Sequence, residues 1–479
     1  MAKPLSRDAG DDPFKRGYYA PIRLEADASH LPIVGKLPPT LRGTLYRVGP
    51  NPRFAARGPQ HWFAGDGMLH VFHIERGAVS YRNRWVRTPK WELENAVGEG
   101  LSSGSLGPSP LTDPRLAALK STVANTNVVW HAGRLLALEE GHAPFEVDPQ
   151  SLAAIGPQTF EGQLEGPMTA HPKIDPSNGE LLSFGYSTRG PLGADMTLHV
   201  IARDGRMLRQ EHFTAPYPSM VHDFAVTQGH IVFPIFPLTG SMQRAMRGQP
   251  PYAWEPDRGT HIGIMPREGS SAGMRWFRGE PCYVYHPMNA FDTADGTLVL
   301  DVMKYDAPPG FPMPDGKPIP TQRSGARLVR WTFDLRGESD RYTERVLSDL
   351  TGEFPRLDER FAIRPYRHGY IMAASIAETV SGGRDSRAGI AHIDVESGKV
   401  SQWQPELGDY CGEPIFVERS AGAVEGDGWL LSLVYRGRED RSDLAVFDAC
   451  DVAAGPVALV QLSHRVPAGL HGNWRAAAD

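Results

Sequence analysis

Three cysteines in 479 residues, Cys282, Cys411 and Cys450, are too few and too widely spaced for a disulfide framework or a cysteine-based zinc site. A reducing, cytoplasmic setting fits that usage. No apolar run approaches the ~18 residues that a membrane-spanning helix needs, and the opening MAKPLSRDAGDDPFKRGYY lacks the apolar segment of a secretory signal. A soluble chain is expected, with peripheral membrane contact and oligomeric state left open. Basic charge is not in excess either: 50 Lys and Arg stand against 56 Asp and Glu, a net charge of −6 that excludes a nucleic-acid partner. Neither a GxGxxG fingerprint with its downstream acidic residue, nor a P-loop, nor a CxxCH haem site is present. Long helical periodicity is scarce.

What is abundant is punctuation. With 51 glycines and 42 prolines, the chain is divided into short segments rich in Val, Ile, Leu and aromatic residues, a strand-and-turn pattern. GMLHVFHIERGAVSYRNRWVRT reads as a hairpin turning at Arg76, Gly77 and Ala78. Strand-turn-strand units start near residues 124, 171, 222, 286, 353 and 413, a period that favours propeller blades over a sandwich. A closing blade, shared between residues 43–90 and the C-terminal strand at His471, brings the count to seven and removes exposed sheet edges. The expectation is an all-β, seven-bladed β-propeller. Residues 1–39 form an irregular leader and 40–479 a single domain. Two inserts near 96–120 and 237–258 break the pattern and are assigned to a cap of loops and short helices over one face.

Four of the 17 histidines share one local context, at the opening of a strand-like segment: His171 in MTAHPKIDP, His222 in SMVHDFAVT, His286 in YVYHPMNAFD and His471 in GLHGNW. Their separations of 51, 64 and 185 residues rule out a ligand pair on one helix or a zinc-knuckle loop. Such spacings suit a fold that brings one segment per repeat to a common axis. A single histidine is more often packed or hydrogen-bonded than metal-bound, so the signal is the shared place rather than any one residue. Three further segments carry a glutamate, at Glu140 in LALEEGHAPFEVDP, Glu353 in TGEFPRLDERF and Glu413 in CGEPIFVER. Metal-bound imidazoles commonly donate their other N–H to a carboxylate, so this set is chemically coherent. Imidazole suits iron, copper, zinc and nickel alike, and the ligands alone do not name the metal.

GTLYRVGPNP and HWFAGDGMLHVF near the start, and LHGNW at the end, occur in the order found in the carotenoid cleavage oxygenase family, which the chain resembles over nearly its whole length. These are non-heme iron enzymes that include lignostilbene dioxygenases and apocarotenoid oxygenases. NRWVRTPKWELE and TAHPKIDPSNGELLSFGY look closest to the bacterial lignostilbene-like branch. The resemblance implies a seven-bladed propeller with Fe(II) as sole cofactor on the four histidines. It also implies oxidative cleavage of a carbon–carbon double bond by dioxygen to two carbonyl products. Glu140 should orient His222, Glu353 should orient His286 and Glu413 should orient His471, with His171 lacking such a partner. Thr126 in ANTNVV matches a threonine whose methyl restricts one open position on the iron.

Lignostilbene-cleaving members bind the phenolic oxygen of the substrate through a tyrosine and a lysine, supported by a phenylalanine. Phe63 matches the phenylalanine, but GSLGPSP puts Gly107 or a neighbour at the tyrosine's place and Glu139 stands at the lysine's. A carboxylate repels a phenolate. The expected substrate is therefore an apolar alkene of the carotenoid or apocarotenoid class, with a stilbenoid or phenylpropenoid as the alternative. An apolar tunnel should receive it, with Trp254, Tyr285, Met288 and Phe311 as further wall residues. Two other readings are a non-oxidative isomerohydrolase on the same scaffold and a catalytically silent propeller. The silent propeller would show a missing ligand, and none is missing.

Overall fold

The computed structural model describes residues 13–477 apart from 120, 321–324, 375–378 and 381–384. Strands dominate, and they form seven antiparallel blades. Central strands such as Leu181–Tyr186 are buried from end to end, because a neighbouring blade covers each face. Outer strands such as Met207–Thr214 alternate between partly buried and exposed positions, the period-two pattern of a sheet with one wet side. The same chemistry explains why the sequence carries unbroken apolar runs only at the blade centres. Gly67–Glu75 and Ala78–Trp85 form the expected hairpin, with Glu75 opposite Ala78. Arg76 and Gly77 both have positive φ, the turn that matches strand twist in a two-residue loop.

Closure uses both ends of the chain. Gly472–Ala476 pairs with Gly43–Pro50 and becomes the innermost strand of the first blade, so the shared blade expected from the sequence is formed. The segment expected to be an irregular leader, 1–39, is not wholly so in its described part. Asp27–Ala28 pairs with Ala78–Trp85, and Ile33–Gly35 pairs with Pro456–Gln461, covering the outer edges of the first and last blades. An unpaired edge is a template for association, and these short strands occupy it.

The fifth and sixth blades share one long strand. Residues Thr343–Leu357 pair with Ala326–Asp334 through the first part and with His368–Ala373 from Glu353 onward. The transition is marked by Phe354, a non-glycine residue at φ 52. A left-handed backbone at such a residue costs about 1–2 kcal/mol, and sites of this kind persist where surrounding structure over-determines them.

The inserts at 96–120 and 237–258 contain the short helix Pro114–Ala117 and, in the second, the hairpin Leu238–Gly240 with Tyr252–Trp254 and the helix Met242–Met246. They approach each other: a side chain built at Gly107 would lie 3.4 Å from Pro251. The loop near Phe311 joins them, since Trp254 N–H donates to Pro312 O at 2.9 Å. Among the described residues no helix is long and apolar enough to cross a membrane.

Candidate metal centre

Each blade delivers one residue of the centre from its innermost strand or from the chain just before it. Thr126 precedes Asn127–His131, His171 precedes Lys173–Ile174, and His222 precedes Ala225–Val226. His286 lies inside Tyr283–Asp292, Glu353 inside Thr343–Leu357, Glu413 between Tyr410–Cys411 and Ile415–Glu418, and His471 immediately before Gly472–Ala476. Glu140 is the exception to the repeat read from the sequence. It follows the second strand of its blade, Arg134–Leu138, and the equivalent blade-entry place there is held by Thr126. The glutamate comes from the connection between Arg134–Leu138 and Phe145–Val147.

The four histidines converge, all buried, with one ring nitrogen from each lying within 4.8 Å of the others. His171 Nε2 is 3.1 Å from His222 Nε2, which is 3.3 Å from His286 Nε2. Three of the rings are held from behind: His222 Nδ1 donates to Glu140 at 2.7 Å, His286 Nδ1 to Glu353 at 2.6 Å and His471 Nδ1 to Glu413 at 2.8 Å. An ionised carboxylate only accepts, so each of these Nδ1 atoms carries the proton, and in the neutral ring each Nε2 presents a lone pair. The Nε2 lone pairs of His222 and His286, 3.3 Å apart with no proton between them, repel each other. A cation among them removes the repulsion, and nitrogens bound to one ion at about 2.0–2.1 Å are spaced on this scale. The donor set thus fits a divalent transition metal held by four neutral imidazoles. Burial and the three neighbouring imidazoles keep His171 well below its usual range, in the neutral form that a ligand needs.

Among the described residues no glutamate is hydrogen-bonded to His171, but the ring has an acidic neighbour. Its Nδ1 is 3.8 Å from Oδ2 of buried Asp223, whose Oδ1 is paired with Lys173 Nζ at 2.7 Å. The glutamates are braced in turn. Tyr186 O–H donates to Glu140 at 2.6 Å, and the strained Phe354 N–H donates to Glu353 at 2.6 Å. Glu413 accepts from Gly472 N–H at 2.9 Å and from Arg356 Nη1 at 3.3 Å. Burial pushes the Glu413 carboxyl up, but Arg356 and His471 overcome it and hold it down at about 2. Asp223, Tyr186 and Arg356 were missed in the sequence because each acts across a blade boundary. The weak signal for Arg356 is its place three residues after Glu353 on the same strand.

Two cavities meet at the histidines. One, on the cap side, has a volume of about 60 Å³ and touches His222, His286 and His471. The other, about 450 Å³, opens on the opposite face and reaches His171, Lys173, Asp223, Arg356 and Glu413. Phe63 and Tyr285 are on the cap-side wall: the Phe63 ring stacks 6.4 Å from His222, and Tyr285 meets His222 edge-on at 5.3 Å. Glu139 and Thr126 line the same cavity. The Thr126 hydroxyl is committed to Asn125 Oδ1 at 2.9 Å, which leaves its methyl as the surface it can offer.

The remaining wall residues read from the sequence lie elsewhere. Met288 lines the opposite cavity together with His286, two residues before it on a strand whose register shifts between Val284 and Pro287 and again between Pro287 and Asn289. Trp254 is buried in its cap hairpin, and Phe311 stands behind the wall with its ring 5.7 Å from that of His61. Gly107 has φ 106, a backbone that side chains rarely adopt, so the cap follows a course there that a tyrosine could not share without strain. Trp62, Leu106, Met220, Phe354 and Leu470 complete the cap-side wall and carried no distinctive sequence signal.

Fold and site together define a β-propeller metalloprotein with a neutral, all-histidine centre between an apolar cavity and a larger one of mixed lining. Residues 19–476 match the family described as retinal pigment epithelial membrane protein. The chain is 38% identical to an isoeugenol monooxygenase of Pseudomonas putida, over 97% of this chain and 98% of the relative. It superposes on the crystal structure of Pseudomonas brassicacearum lignostilbene dioxygenase with a TM-score of 0.92 at 35% identity, covering 98% of this chain and 99% of that one. Against cobalt-substituted Synechocystis apocarotenoid oxygenase the TM-score is 0.84 at 31% identity, covering 97% and 98%. The chain belongs to the carotenoid cleavage oxygenase family and is an oxygenase.

Proposed function

We propose that His171, His222, His286 and His471 hold Fe(II), and that the protein uses dioxygen to cleave a carbon–carbon double bond of a compact, aryl-conjugated alkene, giving two carbonyl products. The observation that carries this reading is the set of three Nδ1–carboxylate hydrogen bonds of 2.6–2.8 Å behind convergent Nε2 atoms. Bound there, Fe(II) supplies the site at which dioxygen is activated. The protein's own share is positional. Glu140, Glu353 and Glu413 fix ring tautomer and orientation, the Thr126 methyl narrows the space beside the metal, and the aromatic wall aligns the alkene and excludes water.

The substrate class is drawn from likeness to the isoeugenol and lignostilbene enzymes. The cap-side cavity, about 60 Å³, is smaller than either substrate class, but its wall of Trp62, Phe63 and Tyr285 suits a flat aryl group. A carotenoid or apocarotenoid remains the second reading, and the observation behind it is the likeness to the Synechocystis apocarotenoid oxygenase.

The test is oxygen uptake by iron-loaded protein with 4-propenylphenols, hydroxystilbenes and apocarotenals, with the products identified by mass spectrometry under ¹⁸O₂. Label in the carbonyl products of an aryl alkene is the expected result. Turnover of apocarotenals alone would replace the substrate class, and unlabelled product would replace the reaction with a non-oxidative one.

A further inference from the structure

We infer that Glu139 selects an alkene bearing a neutral hydroxyl group, whose O–H it accepts as a hydrogen bond. This deepens the reading above and rests on it. Glu139 lines the cap-side cavity beside an otherwise apolar wall. Several other polar groups along that wall are already committed. Asn125 Nδ2 donates to Phe63 O and Gly65 O at 2.7 and 2.6 Å, Thr126 donates to Asn125, and the Tyr285 hydroxyl donates to Pro309 O at 3.1 Å. Glu140 accepts from both His222 and Tyr186.

The carboxylate of Glu139 accepts from Gly141 N–H at 3.0 Å, from His142 Nδ1 and from the Thr122 side chain. A carboxylate has about four acceptor sites, so these three donors do not exhaust its capacity. Burial raises the Glu139 carboxyl, but His142 and the other donors outweigh it and keep it ionised, while Glu139 raises His142 against burial. The pair is neutral overall, so it does not act as a trap for cations. It accepts a hydrogen bond from a protonated phenol or alcohol and disfavours a phenolate, the opposite of what a lysine at this place would do. The carboxylate that argues against a phenolate therefore argues for a phenol.

The experiment measures anaerobic binding to the iron-loaded full chain by calorimetry, using trans-4-propenylphenol, its methyl ether and trans-propenylbenzene. The wild type should prefer the phenol by roughly tenfold or more, as for a hydrogen bond to a charged acceptor. That preference should disappear in Glu139→Leu, shrink in Glu139→Gln, and fade as pH approaches the phenol's own range near about 10. Glu139→Gln retains an acceptor for the 139–142 turn and covers the case in which Glu139→Leu does not fold. Equal affinity for all three compounds in the wild type, an unchanged preference in both variants, or no binding of any of them would overturn the inference. Cleavage of an alkene without a hydroxyl group would in that event leave the oxygenase reading standing. Phenol preference in a protein that takes up neither iron nor oxygen would overturn that reading alone.

Discussion

His171 Nδ1 and Asp223 Oδ2 lie 3.8 Å apart, both buried, with Lys173 paired to the far oxygen of the aspartate. The fourth ligand is thus held electrostatically, where the other three are held by direct hydrogen bonds. It also borders the large cavity of about 450 Å³, as do His286 and His471. Asp223→Asn, which keeps the shape and removes the charge, should weaken metal binding by less than loss of a glutamate does. Cobalt(II) affinity measured by competition with a chelator checks this; a loss as large as that of Glu413→Gln would contradict it.

Glu353→Gln and Glu413→Gln should each lower metal affinity by roughly 10–100-fold, the usual consequence of removing the carboxylate behind a ligating histidine. The amide can still accept from Nδ1, so the fold should survive. Iron content after anaerobic dialysis, read beside an unchanged circular dichroism spectrum, separates a metal defect from an unfolding defect.

Arg356 and Glu413 form a buried pair at 3.3 Å. Arg356→Met leaves the carboxylate buried without its cation, and losses of about 3–5 kcal/mol are typical of that change. The pH dependence has a definite sign. A carboxyl held at about 2 in the folded chain binds fewer protons than in the unfolded one. Its stabilisation is therefore present above the ordinary glutamate range and is lost as pH falls toward 2. Urea unfolding of metal-free protein between pH 5 and 2.5 should show a shallower decline in the variant than in the wild type.

The Thr126 hydroxyl is spent on Asn125, so Thr126→Val should leave cleavage nearly unchanged while Thr126→Ala alters it. The ratio of product formed to oxygen consumed, compared between the two variants, checks whether the methyl is the working group.

The residues that the sequence revealed are those tied to the repeat. His171, His222, His286 and His471 each mark a blade entry, and the spacing of those entries exposed both the propeller and its axis. Glu353 and Glu413 followed for the same reason. Legibility ended where partners come from different blades: nothing local to HDFAVT tells that Asp223 faces His171, or that Tyr186 at the end of LLSFGY supports Glu140. The cap was harder still. Its inserts are placed by contacts such as Gly107 against Pro251, and so Trp254 and Phe311, plausible by composition, do not line the cavity, whereas Leu106 does. Met288 lies in the opposite cavity on a strand whose register shifts twice between Val284 and Asn289, irregularities that no sequence pattern announces.

X-ray absorption at the iron edge of anaerobically loaded protein examines the central claim most directly, because it counts and identifies the atoms around the metal. Four imidazole nitrogens per iron, with the four-ring signature lost on replacing any one of the histidines, is the result predicted. A shell containing sulfur, one built on carboxylates, or a protein that retains no iron would contradict it.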